Sequence, residues 1–207
     1  MKSLLFFFYT LTSSLVFSQF TTLAVGQYAP LPDHKMASTT GELVTLNSLK
    51  GEGLIVLFSS NTCPFVIGFN DGTFGGWENS YNSICEKAKA ANINVVLINS
   101  NEAKRDGGES MADMIERKNF KGFTMPYLLD KNSELANAFG AKTTPHVFFF
   151  NRDMKLIYTG SIDNSFDDKK KTDIPYLVNA IEAYSSGKKI KTKSTSPKGC
   201  SIKRIKN

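Results

Sequence analysis

The 207-residue sequence predicts an α/β sandwich built on a central mixed sheet, and three observations carry that expectation. Residues 54–58 and 93–98 are nearly unbroken apolar runs, the pattern of strands buried on both faces. Between them Tyr81, Ile84, Cys85 and Ala88 recur at spacings of three and four, which is one face of a helix over residues 77–91. Further on, His146-Val147-Phe148-Phe149-Phe150 and Leu156-Ile157-Tyr158-Thr159 flank the turn residues 151–155 and read as a β-hairpin. A βαβ beginning and a hairpin ending place parallel and antiparallel pairs in one sheet, with helices on its faces.

The other elements follow in order. Residues 1–18 carry Lys2, an apolar run with scattered Ser and Thr, and a small residue at Ser18, the pattern of a secretory signal peptide. The run is short and hydroxylated for a membrane span; an uncleaved anchor is the alternative, and the low flanking positive charge disfavours it. No cysteine precedes Cys63, so lipid attachment to an N-terminal cysteine is not expected. The expected location is periplasmic or extracellular, with no stable membrane span after cleavage. Residues 21–42 read as a connector, residues 42–46 as a short strand, and Gly51-Glu52-Gly53 as a turn. A polar stretch over 99–108 precedes a helix with Met111, Met114 and Ile115 on one side. Residues 123–129 lead to a short helix over 133–139 that Gly140 closes. The last helix is expected from an Asp173 N-cap, with Pro175 in its first turn, to a stop at Gly187. The chain thus divides into a leader over 1–18, one domain over 19–187 and a basic tail over 188–207, which the Lys, Ser and Thr composition marks as flexible or loosely docked.

The formal charge of +6 is unevenly placed. Eight basic residues and no acidic one lie in residues 188–206, so the body is mildly acidic and nucleic-acid binding by it is not expected. The tail reads as a solvated extension or, alternatively, a binding arm. Cys63, Cys85 and Cys200 are an odd number and too few to staple a scaffold in a disulfide-permissive compartment. Cys85 lies on the apolar helix face and reads as a core residue. Two histidines and scattered cysteines make no zinc spacing, and no cofactor is expected.

Cys63 follows an apolar strand and precedes Pro64, which suits the start of a helix. Helix starts offer unpaired N–H groups that favour a thiolate. Thr144-Pro145 opens a second strand, where a cis bond would turn backbone polar groups toward that thiol. His146, next to it, could tune the thiol or simply sit on the strand.

These residues, with Asn61-Thr62-Cys63-Pro64-Phe65-Val66, Ile98-Asn99-Ser100-Asn101, residues 123–128, residues 158–163 and Gly199-Cys200-Ser201-Ile202-Lys203, resemble a thioredoxin-fold redoxin of the alkyl hydroperoxide reductase and thiol-specific antioxidant superfamily. The likeness spans about residues 40–205 and implies a thioredoxin-like sandwich, Cys63 as reactive thiol and Pro145 as the cis-proline beside it. A peroxiredoxin would add a hydroxyl three residues before the cysteine, which Ser60 supplies, but Val56 stands where it would have Pro, and neither Arg105, Arg117 nor Arg152 fits the peroxide-polarising arginine. A thioredoxin would have a second cysteine at Val66. The Gly-rich residues 70–76 read as an insert forming a rim or lid. The resemblance implies a peroxide or a protein disulfide as substrate and a thiol reductant as partner. Cys200 is the candidate that resolves Cys63, since the chain from Gly187 is long enough to cross a small domain. The competing reading is a non-catalytic binding or scaffold module that keeps the fold.

Overall fold

The computed structural model describes residues 20–167 and 171–205; the leader predicted over 1–18 lies outside them. Its strands are β1 (Met36–Ser38), β2 (Leu43–Val44), β3 (Gly53–Ser59), β4 (Ile93–Asn99), β5 (Tyr127–Leu129), β6 (Thr143–Thr144), β7 (His146–Asn151), β8 (Leu156–Gly160) and β9 (Cys200–Ser201). Its helices are α1 (Pro64–Ile67), α2 (Tyr81–Ala90), α3 (Met111–Lys121), α4 (Glu134–Phe139) and α5 (Tyr176–Ser185). Seven strands form one mixed sheet in the order β2-β1-β5-β4-β3-β7-β8, and β6 pairs with β9 in a separate ribbon. β4 runs parallel to β3 and β5, whereas β7 is antiparallel to β3 and β8. This is the predicted thioredoxin-like α/β sandwich.

The central strand explains the layering. Every residue of β3 is buried, and its side chains alternate between two apolar layers. Ile55 and Leu57 join the layer of α2 and α5, with Tyr81, Ile84, Leu177 and Ile181. Leu54, Val56 and Phe58 join the opposite layer, where α4 contributes Leu135, Ala136 and Phe139. There Phe58, Phe139 and Phe148 meet edge to face, with Phe139 and Phe148 ring centres 5.1 Å apart.

Several boundaries differ from the sequence expectation. The connector contains β1, which pairs with β5 and buries Met36 and Ser38. The strand expected over 42–46 is only Leu43–Val44, because Thr45 and Ser48 exchange side-chain to backbone hydrogen bonds and turn the chain. Cys85 is only partly buried, and Thr124 Oγ1 donates to its sulfur at 3.7 Å. The last helix begins at Tyr176 with Pro175 as its cap, since Asn164 Oδ1 accepts the Ile174 N–H at 2.7 Å and holds the preceding turn open.

Of the two readings of the tail, flexible or loosely docked, the structure has it docked: residues 188–205 run back along the domain. Thr159 N–H donates to the Lys193 carbonyl at 3.1 Å, and Thr195 N–H to the Thr159 carbonyl at 3.0 Å. Ile190 and Ile202 are buried, one in each apolar layer, and the lysines between them point outward. Two isoleucines in a lysine-rich segment are invisible to composition, yet they are what docks it. No helix among the described residues is long and apolar enough to cross a membrane.

The Phe139 side chain touches three aromatic rings and is fully buried. Phe139→Ala is expected to lower the unfolding free energy by about 3–5 kcal/mol, read by urea titration.

Candidate functional site

The end of β3 delivers Cys63 to the first turn of α1. The cysteine is the N-cap with extended φ/ψ, Pro64 occupies the first helical position, and the Cys63 carbonyl accepts from Val66 and Ile67 N–H groups at 2.8 and 2.9 Å. Its side chain is 3 % exposed, and its Sγ donates to the Thr144 carbonyl oxygen at 3.1 Å. The Thr144–Pro145 peptide is cis, as the sequence predicts, and both residues are buried.

Cys200 is brought to the same place by the C-terminal segment. β9 pairs antiparallel with β6 so that Cys200 lies opposite Thr144, the residue whose carbonyl takes the Cys63 thiol. The Cys200 thiol lies near enough to Cys63 and to the Phe65 backbone, at the first turn of α1, for both to bear on its ionisation. Burial, with the neighbouring Cys63 adding to it, pushes the Cys200 thiol up to about 12, against the smaller pull of the Phe65 backbone and Lys203. All three cysteines are thiols. Val66, where a thioredoxin would have its second cysteine, is buried in the α2 layer.

Ser60 is placed behind the cysteine. It donates to Glu109 and accepts the Thr62 and Cys63 N–H groups at 3.1 and 3.0 Å, so the hydroxyl is spent on bracketing the backbone rather than on presenting a proton to a substrate. Glu109, fully buried, is the hub that the sequence analysis missed. Its carboxyl oxygens accept from the Ser60 hydroxyl, the Asn61 and Thr62 N–H groups, the Thr62 hydroxyl, and the side-chain amides of Asn99 and Asn101. Arg105 braces this hub from outside, donating to Asn99 Oδ1 and the Glu109 carbonyl, each at 2.8 Å. Tyr127 hydroxyl donates to Asn61 Oδ1 at 2.9 Å. The Asn99-Ser100-Asn101 stretch was the one visible signal of this network; nothing in the spacing links Glu109 to residues almost fifty positions earlier.

The remaining candidates resolve simply. His146 faces away from the thiols: its Nδ1 accepts the Lys142 N–H at 3.2 Å and its Nε2 lies 3.3 Å from the Thr159 hydroxyl. Burial, helped by Lys142, depresses it to about 3. The glycine-rich insert turns back on itself through a Phe69 N–H to Phe74 carbonyl bond at 2.7 Å. Phe65, Phe69, Phe74, Trp77 and Phe166 then stack into an aromatic rim just past Cys63.

Two measurements check this description. Glu109→Ala strips the acceptor from six donors and is expected to cost more than about 3 kcal/mol in urea unfolding, with Glu109→Gln, which keeps one acceptor oxygen, losing less. His146 has a folded value below its ordinary 6.5, so its contribution to stability is full above that value and is lost as pH falls through the window toward about 3. Unfolding titrations at pH 7 and pH 4 should show this loss, and His146→Gln should flatten it.

The geometry can be set beside known proteins. Over 89 % of this chain and 94 % of its own, an uncharacterized conserved protein from Geobacillus kaustophilus superimposes with a TM-score of 0.77 at 26 % identity. A hypothetical protein from Sinorhizobium meliloti 1021 gives the same TM-score at 27 % identity, covering 90 % of this chain and 98 % of its own. The thioredoxin domain of a thiol-disulfide oxidoreductase from Bacteroides vulgatus shares the fold, with a TM-score of 0.56 at 15 % identity over 79 % of this chain and 99 % of its own. A comparison with curated proteins finds no match. The model of the AhpC/TSA family matches residues 25–159, a span that holds Cys63, Glu109 and the cis Thr144–Pro145 bond, and the chain belongs to that family.

Proposed function

We propose that the protein is an exported dithiol oxidoreductase in which Cys63 attacks and Cys200 resolves. The observation that carries this reading is that Cys200 is the strand partner of Thr144, the residue before the cis-proline whose carbonyl takes the Cys63 thiol. The leader-like residues 1–18 support export.

The chemistry is thiol–disulfide exchange. The Cys63 thiolate attacks one sulfur of a substrate disulfide, the Cys63–substrate S–S bond forms, and the substrate S–S bond breaks to release one thiolate. At that point Cys63 has lost its negative charge. The influence of the Cys63 thiolate on the neighbouring Cys200 proton is thereby removed, while burial, the larger cause that raises Cys200, stays. Cys200 then gives up its proton to the first departing thiolate and attacks the Cys63 sulfur, breaking the Cys63–substrate bond, releasing the second substrate half as a thiolate that takes its proton from solvent, and leaving a Cys63–Cys200 disulfide. The protein dithiol is oxidised by two electrons and the substrate disulfide is reduced to two thiols. An outside dithiol runs the exchange backwards to restore the protein.

Reduction of peroxide by the same thiols is the weaker reading. Each of the four arginines is committed elsewhere: Arg105 to Glu102 and the Glu109 hub, Arg117 to Glu78, Arg152 to Glu52, and Arg204 to Asn137 and the Ala141 carbonyl. None supplies the cation that would polarise a peroxide at Cys63. Ser60 serves better as a positioning residue for the thiol loop, and Pro145 as the turn that brings the Thr144 carbonyl to it.

Non-reducing peptide mapping after a stoichiometric amount of bis(2-hydroxyethyl) disulfide tests the assignment. The expected product is monomer with Cys63 joined to Cys200. Cys200→Ser should stop at the mixed disulfide on Cys63, and Cys63→Ser should give neither product. A mixed disulfide that persists in the wild type, with Cys200 still a thiol, would overturn the resolving role.

A further inference from the structure

We infer that the C-terminal strand β9 selects the substrate: it admits low-molecular-weight disulfides to Cys63 and excludes polypeptide disulfides. The inference rests on the exchange reading above and names the substrate class for that site.

The backbone edge next to Cys63 is already occupied. Thr143 and Thr144, the residues leading into the cis-proline, have Ser201 and Cys200 as their strand partners. A polypeptide approaching Cys63 along this edge must first remove them. Gly199 tightens the closure: its φ is 151°, and a Cβ there would overlap the Thr144 carbonyl oxygen, the same atom that accepts the Cys63 thiol. Only a glycine lets the tail backbone lie so close over the reacting centre. With β9 in place, Cys63 is 3 % exposed, while neighbouring Thr62 and Pro64 face solvent and Cys200 is partly accessible. A small, flexible disulfide needs only an in-line approach of its sulfur and no strand pairing, so the occupied edge does not obstruct it.

The closure is anchored away from the chemistry. Ile202 is buried in the layer of α4, and its N–H donates to the Lys142 carbonyl at 3.0 Å. Lys203 N–H donates to Asn101 Oδ1 at 2.9 Å, and its carbonyl accepts the Ala103 N–H at 2.9 Å. Arg204 binds Asn137 Oδ1 at 2.7 Å and the Ala141 carbonyl at 2.6 Å. On the other side Ser161 hydroxyl holds the Ser196 carbonyl at 2.8 Å. Displacing β9 requires re-exposing Ile202 and breaking these bonds together, a penalty that falls on a polypeptide substrate and spares a small one.

Stopped reactions of the fully reduced protein test this, reading loss of the Cys63 thiol by alkylation and mass spectrometry whichever product follows. The probes are bis(2-hydroxyethyl) disulfide and insulin. The wild type should react with the small disulfide at least about 100-fold faster than with insulin. Ile202→Ala and Arg204→Ala, which loosen the anchor without touching either thiol, should each raise the insulin rate about tenfold or more and leave the small-disulfide rate within about twofold. Arg204→Ala leaves the apolar layers intact and keeps the test valid if Ile202→Ala does not fold. Equal wild-type rates with the two probes, or insulin rates unmoved in the variants, would overturn the gating role while leaving exchange intact. No reaction of Cys63 with either probe would overturn the exchange reading itself, and the gating role with it.

Discussion

The Thr144 carbonyl oxygen is the point on which the site turns. It accepts the Cys63 thiol, it lies under Gly199, and its residue pairs with Cys200. Three pieces of chain separated by eighty and by more than fifty residues are thus registered on one backbone group. A hydrogen-bonded carbonyl is a good reference for this purpose, because its position is set by the sheet rather than by a side-chain rotamer. The buried β3 and β7, antiparallel neighbours in the sheet, bring the Cys63 loop and the cis-proline to the same end.

A second constraint fixes the loop before the cysteine. Residues 60–62 have to leave the sheet and enter a helix with their N–H groups in a dry place, and an unmet buried donor is expensive. Glu109 and the Ser60 hydroxyl together take the N–H groups of Asn61, Thr62 and Cys63. The carboxyl group has no lysine or arginine bonded to it among the described residues; side-chain amides, hydroxyls and backbone dipoles surround it instead. Such a fully satisfied polar cluster makes the loop rigid and holds the thiol at a set position against Thr144. The aromatic rim of Phe65, Phe74, Trp77 and Phe166 closes the other side.

Cys63 and Cys200 are brought to one backbone group from widely spaced parts of the chain. A second cysteine at position 66 would be presented by the same short helix as the first. Here that position is an apolar core residue, and the second thiol arrives on a strand from the far end of the chain. Burial is the chief cause that holds its proton, with the neighbouring Cys63 adding to it.

The central strands, the α2 and α3 faces and the hairpin were legible in the sequence because burial leaves periodic traces: unbroken apolar runs for β3 and β4, three-and-four spacing for the helices. Cys63 before Pro64, and Thr144 before Pro145, were legible because proline restricts the backbone locally. What only the tertiary structure decided depends on contacts with no fixed spacing. Glu109 looked like any residue of a polar loop until six donors were folded around it. The tail looked like solvated lysines until Ile190 and Ile202 were seen in the two apolar layers and Gly199 against the Thr144 carbonyl. Local sequence determines which conformations a segment can adopt; which distant group meets its buried donors and thiols is settled by the packing of the whole chain.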